Sequence, residues 1–385
     1  MVLYELIDYS TLKMIWWLLL GVLLIGFAVM DGFDMGVGAL LPFIAETDIE
    51  RRVVINTIGA TWEGNQVWFI LGGGAIFAAW PPLYAISFSG FYLAMFVVLA
   101  AMILRPVAFK YRSKRPDPAW RSAWDWALFT GSFVPALVFG VAVGNVLLGV
   151  PYKLDPDLRM TYDGSFFGLF SLFSLLCGLM SVSMLVMHGS VWLVMRSSGV
   201  IAQRARRTGT VAAGFGIVLF ALGGYLVATG FVEGFRITSE VDPNMAANPL
   251  AKQVVVEGGA WMRNFAAHPV LWLAPALGFI GLFGTLILLQ TRMEMPIFAF
   301  SKAAIFGIIS TVGVSMFPFI LPSSIQPEAS LTVWDASSTH RTLFNMLVVT
   351  AIFLPIILVY TAWVYKVLWG KVDEETIERD NHTAY

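Results

Sequence analysis

The sequence predicts an all-α integral membrane protein of about nine transmembrane helices, its N-terminus outside the cytoplasm and its C-terminus inside. Three observations carry this. Hydrophobic residues make up 58% of the 385 and charged residues only 13%, about half the charged share of soluble domains. Mean hydropathy is +0.76, more apolar surface than one water-soluble core of this length could bury. Finally, nine apolar runs reach the roughly 20 residues that cross a hydrocarbon core of about 30 Å, and the basic residues between them are unevenly shared.

The runs lie near residues 14–44, 53–79, 82–109, 122–148, 166–195, 208–232, 264–290, 300–321 and 342–369. The first is too long for a cleaved signal, carries Asp31 and Asp34, and has no small-residue cleavage site behind it. Basic residues following the odd-numbered runs are Arg51, Arg52, Lys110, Arg112, Lys114, Arg115, Arg121, Arg196, Arg204, Arg206, Arg207, Arg292, Lys302, Lys366, Lys371 and Arg379. The opposite side holds Lys13, Lys153, Arg159, Arg236, Lys252, Arg263 and Arg341. That asymmetry sets the orientation, and termini on opposite sides require an odd number of spans. The longest links, 149–165, 233–263 and 322–341, fall outside and are too short for a separate soluble domain, so residues 1–385 read as a single polytopic membrane domain. Trp16, Trp17, Trp80, Trp120, Trp261 and Trp369 fall near span ends, where interfacial aromatics are expected.

Several functions are excluded. A net charge of −1 leaves no basic excess for a phosphate backbone, so no nucleic-acid partner is expected. One cysteine, Cys177, cannot make an intrachain disulfide, a cysteine-ligated cluster or a structural zinc site, and it sits in an apolar run as packing. Gly72-Gly73-Gly74 lies inside a span and lacks the lysine of a phosphate loop.

Carboxylates inside spans cost about 2.5–3.5 kcal/mol each on insertion scales and therefore mark function by default. Asp31 and Asp34 share one helix face at i, i+3 spacing, with Gly32 and Gly36 forming a small-xxx-small pair beside them. Glu63, in the run Trp62-Glu63-Gly64-Asn65-Gln66-Val67-Trp68, lies 11 residues beyond Arg52. On a continuous helix that is roughly 16 Å deep. With Trp62, Asn65, Gln66 and water beside them, the three carboxylates suit a proton conduit; the alternative is polar glue between helices. Arg105, before Pro106, is a candidate charge partner but is as well read as snorkelling to the interface. Asp125 suits the N-terminus of the fourth span. Of the four histidines, His382 is in the polar tail, His268 and His340 are at external boundaries, and only His188 approaches a span interior. It is a weak candidate for cofactor binding, and no metal site is expected.

At these residues the sequence resembles subunit II of the cytochrome bd ubiquinol oxidases, of the long proteobacterial type. The resemblance spans essentially the whole chain. It rests on Gly26-Phe27-Ala28 leading to Asp31-Gly32-Phe33-Asp34-Met35-Gly36-Val37-Gly38, on the Trp62 to Trp68 run, on Phe77-Ala78-Ala79-Trp80-Pro81, and on Arg105-Pro106-Val107. Further matches are Gly131-Ser132-Phe133-Val134-Pro135, Met316-Phe317-Pro318-Phe319 with Pro322-Ser323-Ser324, and Ser330-Leu331-Thr332 followed by Trp334-Asp335-Ala336-Ser337-Ser338. The resemblance implies two four-helix bundles plus a peripheral helix, in a bacterial inner membrane with the N-terminus periplasmic. It implies a complex that oxidises ubiquinol and reduces dioxygen to water, with haem b and haem d held by an obligate partner, subunit I. A structural ubiquinone and small single-span accessory subunits are further candidates, with lipid around the whole. Protons would be drawn partly through this subunit, a role that falls on Asp31, Asp34 and Glu63; relatives carry Asp as well as Glu at position 63. The segment from Met316 to Ser338 is expected to cap the partner's outer face. Competing readings are a proton-coupled secondary transporter, which also places carboxylates at mid-membrane, and a purely structural scaffold.

Overall fold

A computed structural model describes residues 3–379; His382 lies outside the described residues. The helices are α1 (Tyr9–Ile44), α2 (Asp48–Gly59), α3 (Trp62–Asn65), α4 (Val67–Ala79), α5 (Pro81–Gly90), α6 (Tyr92–Tyr111), α7 (Pro118–Leu148), α8 (Leu172–Arg196), α9 (Gly199–Ala228), α10 (Arg263–Ala267), α11 (Leu273–Leu288), α12 (Glu294–Met316), α13 (His340–Val367) and α14 (Glu374–Arg379). Among the described residues eight are long and apolar enough to cross a membrane, and the bent pair formed by Trp62–Ala79 and Pro81–Gly90 makes nine when counted as one span. Helices α1, α4, α6 and α7 pack as one group and α8, α9, α11 and α12 as another. Helix α8 also lies against α1 and α7, joining the two. Helix α13 sits outside both, touching α1 and α4, with Leu343 its one buried residue.

The second span departs from the sequence expectation of one helix over 53–79. Helix α2 is a separate amphipathic piece that starts with a capping box, in which the Thr47 hydroxyl accepts from the Glu50 amide and the Glu50 carboxylate accepts from the Thr47 amide. It ends at Gly59, and the chain restarts helically only at Trp62. Hydropathy missed this break because the apolar run continues through it. The depth assigned to Glu63, which assumed 1.5 Å of rise per residue from Arg52, has no basis once the helix is interrupted. At the far end of α4 the chain bends by 119° where Trp80 precedes Pro81, a position from which the helical conformation is disfavoured.

The three external links are more ordered than their polar composition suggested. Two-stranded antiparallel sheets order them: β1 (Tyr152–Leu154) with β2 (Met160–Tyr162), β3 (Glu233–Ile237) with β4 (Val254–Gly258), and β5 (Phe319–Leu321), at the end of the run read as the eighth span, with β6 (Leu331–Thr332). They merge into one cap. The Tyr152 hydroxyl donates to the carbonyls of Leu321 at 2.8 Å and Ala329 at 3.0 Å, and Trp261 packs between Phe235 and Phe319. Helix α1 at 36 residues is about 54 Å long and overshoots the hydrocarbon core. Its outer end enters the cap, where the Lys13 ammonium donates to the carbonyls of Pro243, Met245 and Trp334 at 2.7–3.1 Å. The segment from Met316 to Ser338 is thus docked within this chain's own cap. Trp16, Trp80 and Trp261 are buried in protein too; their position near span ends was read as interfacial, but the cap covers them.

Lys252 and Asp335 form an ion pair at 2.8 Å inside the cap, both nearly buried. Burial pushes the Asp335 carboxyl up and the Lys252 ammonium down from their usual ranges, and each is pulled back by the other. Breaking such a pair leaves an uncompensated charge and costs about 3–5 kcal/mol, whereas removing both partners is often neutral. Lys252→Met is therefore expected to lower the melting temperature of the purified protein, and Lys252→Met with Asp335→Leu to recover most of it. Equal melting of the single variant and wild type would remove the pair from the cap's stability.

Candidate functional site

The buried polar centre lies where α1, α3, α6 and α13 converge. Helix α1 carries Asp31 and Asp34 on one face, α6 contributes Arg105, α3 contributes Asn65, and α13 contributes Tyr365. Asp31, Asp34 and Arg105 are fully buried and Asn65 nearly so. Arg105 grips Asp31 with two parallel bonds, Nη1 to Oδ2 at 3.1 Å and Nη2 to Oδ1 at 2.9 Å, the fork geometry that makes arginine the better partner for a buried carboxylate. Its stem runs past Gly131 of α7, where an added Cβ would lie 2.7 Å from the Ala101 carbonyl and 3.0 Å from Arg105 Cγ. Of the two readings of Arg105, the structure gives the charge partner and not the snorkelling side chain.

Asp34 has a different environment. Its Oδ2 accepts from the Asn65 amide at 2.7 Å, and the Asn65 Oδ1 accepts from the Tyr365 hydroxyl at 2.6 Å. Asp34 Oδ1 and Arg105 Nε have no hydrogen-bond partner among the described residues. One guanidinium balances one carboxylate, so the second is left with an amide and one free oxygen. Asp31 thus has both oxygens bound, while Asp34 keeps one oxygen without a partner among the described residues. Tyr365 was missed in the sequence because nothing local marks a tyrosine that meets Asn65 across 300 residues.

Trp62 is buried and stacked on Phe109 with ring centroids 4.9 Å apart, and Gln66 is half-buried at the junction of α3 and α4. Glu63 stands apart from this centre. The single turn of α3 turns Trp62 and Asn65 inward and Glu63 and Gly64 outward, so the carboxylate is exposed on the chain's surface.

Asp125 is not at a helix N-terminus. Helix α7 starts at Pro118 with Asp117 as its cap, and Asp125, two turns in, is buried and bound by Arg51 at 2.8 Å and Arg112 at 2.5 Å. Arg112 also reaches Asp48, which Arg121 shares, so Asp125 anchors α2 and the α6–α7 connection. Residues 118–121, read as link, are helical because Pro118 is favoured at the first helical position.

Two of the described histidines have ring nitrogens engaged within the chain. His188 is fully buried, with Nδ1 against the Ser301 hydroxyl at 2.9 Å and Nε2 against the Val29 carbonyl at 3.0 Å, and its ring stacks on Phe298. His340 Nε2 meets the Ile7 carbonyl at 2.8 Å. Among the described residues no group of three His, Cys, Asp or Glu is placed to hold a metal ion.

These features define a polytopic helical membrane protein with a buried carboxylate centre. Residues 12–368 match the family model described as cytochrome bd terminal oxidase subunit II, and the chain belongs to that family. The protein named cytochrome bd-I ubiquinol oxidase subunit 2 from Escherichia coli (strain K12) is 51% identical over 381 residues, 98% of this chain and 100% of the relative. One from Haemophilus influenzae named probable cytochrome oxidase subunit 2 is 48% identical over 98% of this chain and 100% of its own. The solved structure of bd oxidase from Geobacillus thermodenitrificans aligns with a TM-score of 0.68 at 14% identity, covering 94% of this chain and 100% of that one, which shows a shared fold.

Proposed function

We propose that this chain is subunit II of a cytochrome bd-type quinol oxidase in the bacterial inner membrane, a complex that oxidises ubiquinol and reduces dioxygen to water. The observation that carries the reading is the 51% identity, from end to end, to a protein named as that subunit. Haems supply the electron transfer and the reduction of dioxygen; in this reading haem b and haem d belong to subunit I, the obligate partner, in keeping with the engagement of His188 and His340 within this chain. Residues 1–385 serve as one membrane domain, oriented with the N-terminus periplasmic and the C-terminus cytoplasmic. Small accessory subunits and a structural ubiquinone belong to the same reading. Expressed without its partner, the chain is expected to bind no stoichiometric haem; a b-type spectrum at one haem per isolated chain would overturn this and return attention to His188.

Within the complex we assign proton conduction to Asp34 and Glu63, with Asn65, Gln66 and Trp62 lining the way and the Asp31–Arg105 pair holding the helices. A glutamate exposed at the surface of a membrane helix is costly against lipid. Its place on the outward side of α3, the turn whose inward side carries Asn65, suits a hand-off to a partner covering α3. Glu63→Gln and Asp34→Asn keep shape and hydrogen bonding while removing the titrating proton. Each is expected to lower oxygen consumption and proton uptake per haem d by about 100-fold or more, the usual weight of a positioned proton-transfer group, while Glu63→Asp retains much of the rate. Wild-type turnover at normal haem content in both would leave these carboxylates a helix-bonding role only.

A further inference from the structure

We infer that a basic groove where α6 passes into α7 binds the headgroup phosphate of an anionic phospholipid. The groove is open, about 590 Å³, and lined by Lys110, Tyr111, Lys114, Arg115 and Trp120. Lys110 lies in the last turn of α6 and Lys114 one turn further, in the short 3-10 helix that continues it. The Trp120 indole donates to the Tyr111 carbonyl at 2.9 Å, closing the connection on itself. The Arg115 guanidinium lies over that ring, 4.8 Å from its centroid. A guanidinium attracted to an indole face still carries N–H donors for a phosphate. No carboxylate lines the groove.

The neighbouring cations have other work. Arg112 and Arg121 are bound by Asp48 and Asp125, whereas Lys114 and Arg115 are exposed and form no ion pair with the described residues. Two unneutralised cations beside a fixed aromatic plate contribute little to the fold and much to an anion. The helix says which anion. Phe96, Leu99 and Ile103 are exposed and, with Lys110, fall at spacings of three, four and seven residues on one face of α6. That apolar stripe runs into the groove, so one amphiphile can lay an acyl chain along it and seat its phosphate among the cations. A free phosphate would use the cations and leave the stripe unused.

The test uses the purified complex of both subunits in mild detergent, titrated with dioleoyl phosphatidylglycerol or with dioleoyl phosphatidylcholine and read by native mass spectrometry. The Lys114→Gln/Arg115→Gln variant is expected to bind the anionic lipid at one site roughly 30-fold more weakly, from about a factor of five per cation. Phosphatidylcholine should not distinguish variant from wild type, and inorganic phosphate should not displace the retained lipid. Equal retention of phosphatidylglycerol by both proteins would overturn the proposal. Displacement by inorganic phosphate would reassign the groove to a soluble anion. Loss of the partner subunit from the variant, with lipid retention unchanged, would make it a protein contact. Arg115→Lys, which keeps the charge and loses the planar guanidinium, should weaken retention less than the double variant.

Discussion

Replacing Arg105 with leucine is expected to abolish accumulation of the assembled, haem-loaded complex. The guanidinium is the one cation bound to Asp31, held by two bonds at 2.9 and 3.1 Å with both side chains essentially inaccessible. Removing it strands a carboxylate in the bundle core, a cost of about 3–5 kcal/mol when one partner of a buried pair is lost. That is a large part of the roughly 5–15 kcal/mol by which folded domains persist. Asp34 is in the same centre and depends on the same balance of charge. Arg105→Lys should fall between: the charge remains but the fork does not, since an ammonium cannot bond both carboxylate oxygens in one plane. The double variant Arg105→Leu/Asp31→Leu separates the explanations. If the pair is structural, removing both charges restores assembly in detergent extracts, measured by the absorption spectrum and by co-purification of the partner. If Arg105→Leu assembles and turns over as wild type does, the pair is dispensable and the account of the centre fails.

How much of this was legible in the sequence depends on how locally each feature is encoded. The spans were legible because hydropathy over about 20 residues is a property of a continuous segment, and Asp31 and Asp34 stood out because a carboxylate has no cheap place in such a segment. The break between α2 and α3 was not legible from hydropathy, although Thr47 with Glu50, a local signature of a helix start, was there to be read. Arg105 was visible as a charge, but its partner was not, because Asp31 lies 74 residues away. Tyr365 meeting Asn65, Trp16 donating to the Leu343 carbonyl, and the cap made of three short sheets all depend on segments far apart in the chain. No periodicity reports those contacts. Glu63 shows the converse: its residue type was informative, while the direction in which it points was fixed by one turn of helix that the sequence pattern did not separate.

Helix α1 approaches α8 at Gly36, and Gly36→Ala is expected to destabilise the protein far more than Gly32→Ala, four residues earlier on the same face. An ideal Cβ on Gly36 would sit 2.0 Å from the Leu185 carbonyl oxygen and 2.9 Å from the Gly189 backbone, and a Cβ on Gly189 would sit 2.5 Å from the Gly36 carbonyl carbon. All of these obstacles are main chain, so no rotamer change relieves them; the two helices must move apart. At Gly32 the obstacle is Leu185 Cδ2 at 2.8 Å, the far end of a flexible side chain that can rotate away. Between spanning helices the attraction comes from close packing, so separation loses contacts along the whole interface. Forcing even one methyl into a closed contact costs about 1–3 kcal/mol. The shift would also reach the site. His188, next to Gly189, holds the Val29 carbonyl of α1 at 3.0 Å, and Asp34 is two residues from Gly36. Gly36→Ala should therefore lower both the melting temperature of the complex and its turnover per haem, Gly36→Val should prevent assembly, and Gly32→Ala should leave both measurements close to wild type. Equal behaviour of the two alanine variants would mean that the backbone contact at Gly36 is not what holds α1 and α8 in register.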